Sequence, residues 1–441
     1  MNFNSTELFN STSSTKEFLY GKSCRENLID FNDKISSETI DDLKKYFPDL
    51  LVGKTFTDYA VQWFEPSHAF AAMAVGVDKK VGADEEEKTE VLVDVAIAID
   101  RICKENNGIW GLIENAIFGC FFMEIDENVC MEFTRLIKSD LSENGNKTVS
   151  IGTASFPSID FKKKEIILNA LKALRHAAFF GPDSAVSFDA VSVNINADRL
   201  YQEGDIKGAI EDFKKAVVLD PENLNVFNSL GVCYGILGAY EKAEESFQAA
   251  LKIKPEDPMV LYNAGLVNIL INNREKALAY MLEADKPDGE IFEVAYQTGK
   301  LYLESGNFEK AGKYLEKAVE IEPDAPHALR FLGESYAKLN LIDKAVTSYK
   351  KALKFNPNDA HSLSAMGSLF DIQGENLEIT IIFCQQSVNI EPENGLFRHR
   401  LGYLYFKQNE LDNALREFEK AKLFGYDSSE FIEKINDMAI D

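Results

Sequence analysis

LNVFNSLGVCYGILGAYEKAEESFQAALKIKPED, residues 224–257, reads as two helices joined by a turn. Leu230-Gly231 and Tyr234 share one helical face, Gly238 marks the turn, and Ala243, Phe247 and Ala250 share a face of the second helix. Pro255 follows, and proline stops a helix because it has no backbone N–H to continue the hydrogen-bond ladder. The same closing proline recurs at Pro221, Pro323, Pro357 and Pro392, so the intervals along the chain are 34, twice 34, 34 and 35 residues. Seven copies are expected: 190–223, 224–257, 258–291, 292–325, 326–359, 360–394 and 395–428.

Small residues mark where the two helices of each copy approach most closely. On the first helix they are Ala197, Gly231, Gly265, Gly299, Gly333, Gly367 and Gly402; on the second, Ala209, Ala243, Ala277, Ala311, Ala345 and Ala414. Copy six departs, with one extra residue and Thr380 in the alanine's place, which predicts a local bulge or looser packing. Copy three departs too, its second helix ending early at Asp285-Lys286-Pro287. Past Gly425, residues 429–441 read as a capping helix.

This period and its small and aromatic positions closely resemble the tetratricopeptide repeat (TPR). The resemblance implies an all-α solenoid, a right-handed superhelix, whose first helices line a concave groove that holds another protein or a peptide. Carried over position by position, the groove residues are Asn194, Asn228, Tyr262, Tyr296, Lys300, His327, Arg330, Lys338, His361, His399, Tyr403 and Lys407, with Ser364 at the fifth position of copy six. Asn can pair with an extended peptide backbone and Tyr can cover apolar side chains. The carboxylate clamp of heat-shock co-chaperones, with Lys and Asn at fixed places in three successive repeats, is not reproduced. The other reading is that these are solvated side chains without a ligand, or that the protein's own tail fills the groove.

Residues 1–189 show no such period. A mobile tail is expected over 1–20, rich in Ser, Thr and Asn, followed by a domain over 21–189. Its predicted elements are a helical lead (24–47), a strand (69–78), a helix (85–105) with Asp84 as N-cap, and two strands within 109–126 turning at Glu114-Asn115. A helix (127–141), a strand (149–157), a helix (163–180) and a last strand (184–193) follow. The whole is α+β: an α/β sandwich of ferredoxin-like or polymerase-palm type, then the helical repeats.

That order, with VSIGTASFP and KKEIILNALKALRHAAFFGPDSAVSFD, resembles the GGDEF domain of diguanylate cyclases over roughly 65–190. An active member holds divalent metal and nucleotide at its hairpin turn, using glycines and acidic residues. Here Glu114-Asn115-Ala116-Ile117-Phe118 occupies the signature, Gly76 and Asp78 end the first strand, and Lys88-Thr89 stand where the family reads guanine. Glu105 and Gly108 replace the product-inhibition motif. The resemblance therefore implies a catalytically dead domain, which either caps the first repeat or retains a regulatory binding role.

The formal charge of −25, from 47 basic and 72 acidic residues, argues against a nucleic-acid or anionic-membrane surface. No apolar run is long enough to span a bilayer, and the N-terminus lacks the pattern of a secretory signal. The six cysteines show no close pairing and read as reduced, mostly buried thiols. No metal or cofactor is expected, since neither Cys-x-x-Cys nor paired His ligands occur. His176 reads as a packed residue and His68 as a loop residue. Walker, Gly-x-Ser-x-Gly and Gly-x-Gly-x-x-Gly motifs are lacking. The expectation is a non-enzymatic, cytoplasmic interaction scaffold from a bacterium. The alternative is a regulator whose sheet domain senses a guanine nucleotide.

Overall fold

The computed structural model describes residues 37–78, 85–114, 116–143, 147–286 and 290–438. The expected tail, Asp84, Asn115 and residues 24–36 of the helical lead lie outside them. Two compact units divide between Pro255 and Glu256.

The first unit begins with α1 (Ser37–Tyr46) and α2 (Lys54–Phe64), then β1 (Phe70–Val77), α3 (Glu85–Glu105), β2 (Ile109–Glu114) and β3 (Ile117–Met123). There follow α4 (Glu127–Glu143), β4 (Val149–Phe156), α5 (Ile166–Ala177) and β5 (Ala185–Ser187). The strands form one mixed sheet in the order β2-β3-β1-β4-β5, antiparallel except for β4 and β5. β1 is central, and FAAMAVGV is apolar throughout because both its faces are covered. Phe70, Ala72 and Ala74 pack with α2 and α5, while Ala71, Met73 and Val75 pack with α1, α3 and α4.

Helix α2 corrects the sequence reading, which left 48–68 without an element. Its Phe56 lies over the sheet where Gly111 and Gly119 leave room for the ring. The last strand is also shorter than expected. It stops at Ser187, and Asp189 caps α6 by accepting from Ser192 N at 2.8 Å. The alternation in SAVSFDAVSV reads as a strand, but a capping box at Asp189 turns 190–193 into helix.

Two helix pairs complete this unit: α6 (Ala190–Gln202) with α7 (Ile206–Leu219), and α8 (Leu224–Ile236) with α9 (Tyr240–Ile253). One apolar core runs from the sheet through α5 into these pairs, joining Ile166, Ala170 and Leu174 to Val193, Ala209, Phe213 and Val226. Polar links cross the same junction. Lys172 on α5 donates to Asp212 on α7 at 2.7 Å, and Asn196 donates to the other Asp212 oxygen at 2.7 Å. His176, packed as expected, lies 3.1 Å from Ser192 Oγ.

The second unit holds five pairs and a final helix. They are α10 (Pro258–Leu270) with α11 (Arg274–Ala284), α12 (Phe292–Glu304) with α13 (Phe308–Ile321), and α14 (Pro326–Lys338) with α15 (Ile342–Phe355). After them come α16 (Ala360–Gln373) with α17 (Leu377–Ile390), α18 (Gly395–Lys407) with α19 (Leu411–Leu423), and α20 (Ser429–Met438). Each first helix ends at a left-handed residue, and only Gly or Asn occupies it across the chain: Gly204, Gly238, Asn272, Gly306, Asn340, Gly374 and Asn409. Several first-helix glycines meet a large side chain, Gly231 that of Phe247, Gly299 that of Leu315 and Gly333 that of Tyr349, while Gly367 meets Cys384.

Copy six carries no bulge. Its extra residue lies between Gly374 and the N-cap Asn376, so the turn absorbs it and α17 stays regular. Thr380 is fully buried, its hydroxyl donating to Asn376 O at 3.0 Å, which satisfies the polar atom that replaces alanine's methyl.

Candidate functional site

In the second unit, α12, α14, α16 and α18 carry most of the proposed groove residues, and the structure gathers several of them. Tyr296 stacks on Phe292 and tilts against Phe331, with ring centroids 5.7 and 5.9 Å apart. Lys300 Nζ lies 5.5 Å from the centres of both the Tyr296 and Phe331 rings. The Arg330 guanidinium covers Phe331 at 4.5 Å and reaches Asp359 only at 3.5 Å. Its Nε is buried and, among the described residues, has no hydrogen-bond partner. Burial pulls the Lys300 ammonium below its ordinary value against the pull of Glu304, and the like charge of Arg330 adds to it. Two partly desolvated cations flank one aromatic ring, Arg330 paired with Asp359 and Lys300 under the pull of Glu304, and a further anion would add to their stabilisation.

Other expected residues are placed differently. Tyr262 is only 4 % exposed, which leaves little surface for a ligand, and burial pushes its hydroxyl well up. His327 and Lys338 are exposed at opposite ends of α14. His361 packs edge-on to Phe397 at 5.1 Å, with Glu391 3.9 Å away. Lys407 donates to Asp371 at 2.6 Å and lies 5.7 Å from the Tyr403 ring centre. His399 bonds Ser428 Oγ at 2.9 Å and contacts the rings of Phe418, Tyr426 and Phe431. Phe431 comes from α20, so the C-terminal segment itself covers this end of the face. Burial first, and Arg400 second, hold the His399 imidazole below its usual value.

Asn194 and Asn228 belong to the first unit. Asn194 donates to Asp198 at 3.4 Å, and among the described residues its buried Oδ1 has no partner. Asp198 is 5 % exposed, and burial raises its carboxyl to about 7. A protonated Asp198 is a donor beside an acceptor of matching type.

The residues at the end of β1 are engaged in structure. Asp78 accepts from Ser150 Oγ at 2.7 Å and from Asp183 N at 2.8 Å, so both its oxygens are used locally. Lys147 is paired with Asp94 beside it.

Sequence reading missed Arg400, Phe331 and Asp359. The signal for Arg400 was present: the sixth positions of the other copies are Ile195, Ser229, Asn263, Gln297, Phe331 and Ala365, all uncharged.

Tetratricopeptide-repeat family models match residues 197–238, 225–257, 302–369 and 397–422. The helix pairs there are tetratricopeptide repeats, and repeats of this kind hold protein or peptide partners. Among solved structures, the chain is similar to MamA, 27% identical over 39% of this chain and 93% of that one, with a TM-score of 0.35. It is similar to YrrB, described as a TPR protein with an unusual peptide-binding site, at 19% identity, 42% and 96% coverage and a TM-score of 0.40. PilF of Pseudomonas aeruginosa is 19% identical over 47% of this chain and 95% of its own, with a TM-score of 0.43. The comparison with curated proteins finds no match.

Proposed function

We propose that this chain is a non-catalytic scaffold that holds an acidic segment of another protein on the first-helix face of repeats four to seven. The observation that carries this reading is the cluster of Lys300 and Arg330 about Phe331. Such cations are expensive to bury and favour a carboxylate partner. In a chain of net charge −25 they also steer acidic segments to one face.

The sheet region is read as a catalytically silent relative of the GGDEF domain. The antiparallel order β2-β3-β1-β4 supports a ferredoxin-like core, and the engagement of Asp78 supports loss of metal binding. On this reading the protein works in a bacterial cytoplasm, and the sheet serves as a cap on the first repeat. That role fits the core shared by the sheet and the first two helix pairs. Thermal unfolding of the full chain should not shift with GTP or cyclic di-GMP, and a shift would favour a nucleotide sensor instead.

The binding test is an array of immobilised decapeptides with randomised sequence, probed with the full chain. Retained peptides should be enriched in Asp and Glu, and added salt should weaken retention. The double variant Lys300→Glu/Arg330→Glu, with helicity intact, should lose that enrichment. Unchanged retention would move the site off this face.

A further inference from the structure

Arg400, on α18, donates through Nη1 to Oγ of the buried Ser364 on α16 at 2.9 Å. Among the described residues no carboxylate pairs with it. Of the cavity's lining residues the one acid, Asp371, is taken by Lys407 at 2.6 Å. Beside Arg400 opens a cavity of about 410 Å³, whose walls include Ile372, Leu396, Tyr403, Tyr426 and Phe431. A volume of this order suits a side chain or two of a bound segment. Ile372 is 64 % exposed and Tyr403 36 %, so apolar surface stands open at the rim. His399 also lines the cavity, and with its imidazole held low the cation there is Arg400.

A guanidinium bonded only to a neutral hydroxyl keeps donors for a carboxylate, which it binds more strongly than a neutral group. Aromatic and aliphatic walls beside it favour a large apolar side chain. We propose that this cavity anchors an acidic residue and an adjacent large apolar side chain of the bound segment, the carboxylate on Arg400 and the apolar group against Tyr403, Tyr426 and Phe431. The proposal rests on the reading that the first-helix face holds an acidic segment, and it names the motif that fixes the segment's position. The wall supplied by Phe431 makes α20 part of the anchor as well as a cap.

The test uses the full chain and four sets of immobilised decapeptides, with a central Glu-Leu, Gln-Leu, Glu-Ser or Gln-Ser in randomised flanks. The native protein should retain Glu-Leu over Gln-Leu by roughly tenfold, the size of one charge-assisted bond. It should also retain Glu-Leu over Glu-Ser. Arg400→Met should abolish the Glu-over-Gln preference while keeping Leu over Ser, and Arg400→Lys should keep part of both. Circular dichroism and thermal midpoints confirm that each variant is folded. Glu-over-Gln preference that survives Arg400→Met overturns the anchor. If Lys300→Glu/Arg330→Glu still lowers retention in that case, the acidic-segment reading stands without it. If that double variant changes nothing while Arg400→Met does, the anchor stands and the wider face falls. Equal retention of all four sets overturns both.

Discussion

The five-stranded sheet and the helix pairs of the second unit solve close packing with the same residue and different neighbours. At Gly152, on β4, a side chain would run into the backbone of Ala170 and Leu174 on α5. At Gly333, on α14, it would meet the Tyr349 ring at 3.0 Å. Backbone cannot yield and a ring can. The contact at Gly152 is therefore fixed by backbone, whereas the one at Gly333 is with a ring that can adjust. Buried charge occurs in both units: the first joins α5 to α7 through Lys172 and Asp212, 9 % and 7 % exposed, and the second joins α18 to α19 through Arg398 and Glu417 at 2.6 Å.

The sharpest way to break the comparison is to remove Asp212. Burial pulls the Lys172 ammonium down, and Asp212, through charge and hydrogen bond, is the main group that opposes it. Asp212→Ala should cost about 3–5 kcal/mol, because it leaves a buried ammonium and the Asn196 amide without their acceptor. Lys172→Met/Asp212→Leu should recover most of the loss. Urea unfolding of the full chain measures both. A small loss for the single variant would mean that the junction is wetter and looser than the shared core implies.

Asp198 offers a gain instead. Its folded value of about 7 lies above the ordinary 3.8, so the neutral form is favoured by folding. Stability from this group is full below the unfolded value and is lost as pH rises from there through about 7. Each tenfold preference of the fold for the neutral carboxyl is worth roughly 1.4 kcal/mol. Asp198→Asn should therefore stabilise the protein at pH 8 by about 2–4 kcal/mol and change little at pH 4. Equal stability of the two proteins at pH 8 would show that the carboxylate is solvated.

The glycine contrast predicts unequal costs for one methyl group. Gly152→Ala should cost about 1–3 kcal/mol or more, because backbone must move. Gly333→Ala should lie within about 1 kcal/mol of neutral, since the ring can shift and alanine favours the helix by about that amount. Similar thermal midpoints for the two variants would erase the distinction between the two contacts.

The repeats were legible because seven copies corroborate one another: the prolines, the glycines and the alanines each state the same period. Even copy six, where the bulge was wrongly expected, kept its register, with Thr380 at the alanine position. The sheet was legible in its apolar strands, whose order follows the sequence reading from 69 to 156. Helix α2 was not, because Gly53 supplies no side-chain cap and KTFTDYAVQWF mixes aromatic with polar residues. The end of β5 was misread because a capping box looks like one more alternation. Among candidate site residues, Tyr296, Lys300 and Arg330, chosen by position, lie together about Phe331. Arg400 was passed over because a positional rule looks one residue earlier, at His399.

His399 gives the smallest effect and separates the two roles of this end of the molecule. An ordinary histidine would gain charge near pH 6.5 and strengthen binding of an acidic segment between pH 8 and 6. Here burial beneath Phe418, Tyr426 and Phe431, with Arg400 adjacent, depresses the imidazole, so the fold favours its neutral form. For a base held low, stability is intact above the unfolded value and falls as pH drops below it, since the unfolded chain takes the proton first. His399→Gln should therefore match the native protein in thermal midpoint and peptide retention at pH 8. At pH 5.5 it should be the more stable of the two, because glutamine has no charge to bury. Retention of Glu-Leu peptides by the native protein should accordingly owe nothing to His399 between pH 8 and 7. If instead His399→Gln removes a rise in retention as pH falls through that interval, the imidazole is open to water. The C-terminal helix would then not be seated over repeat seven.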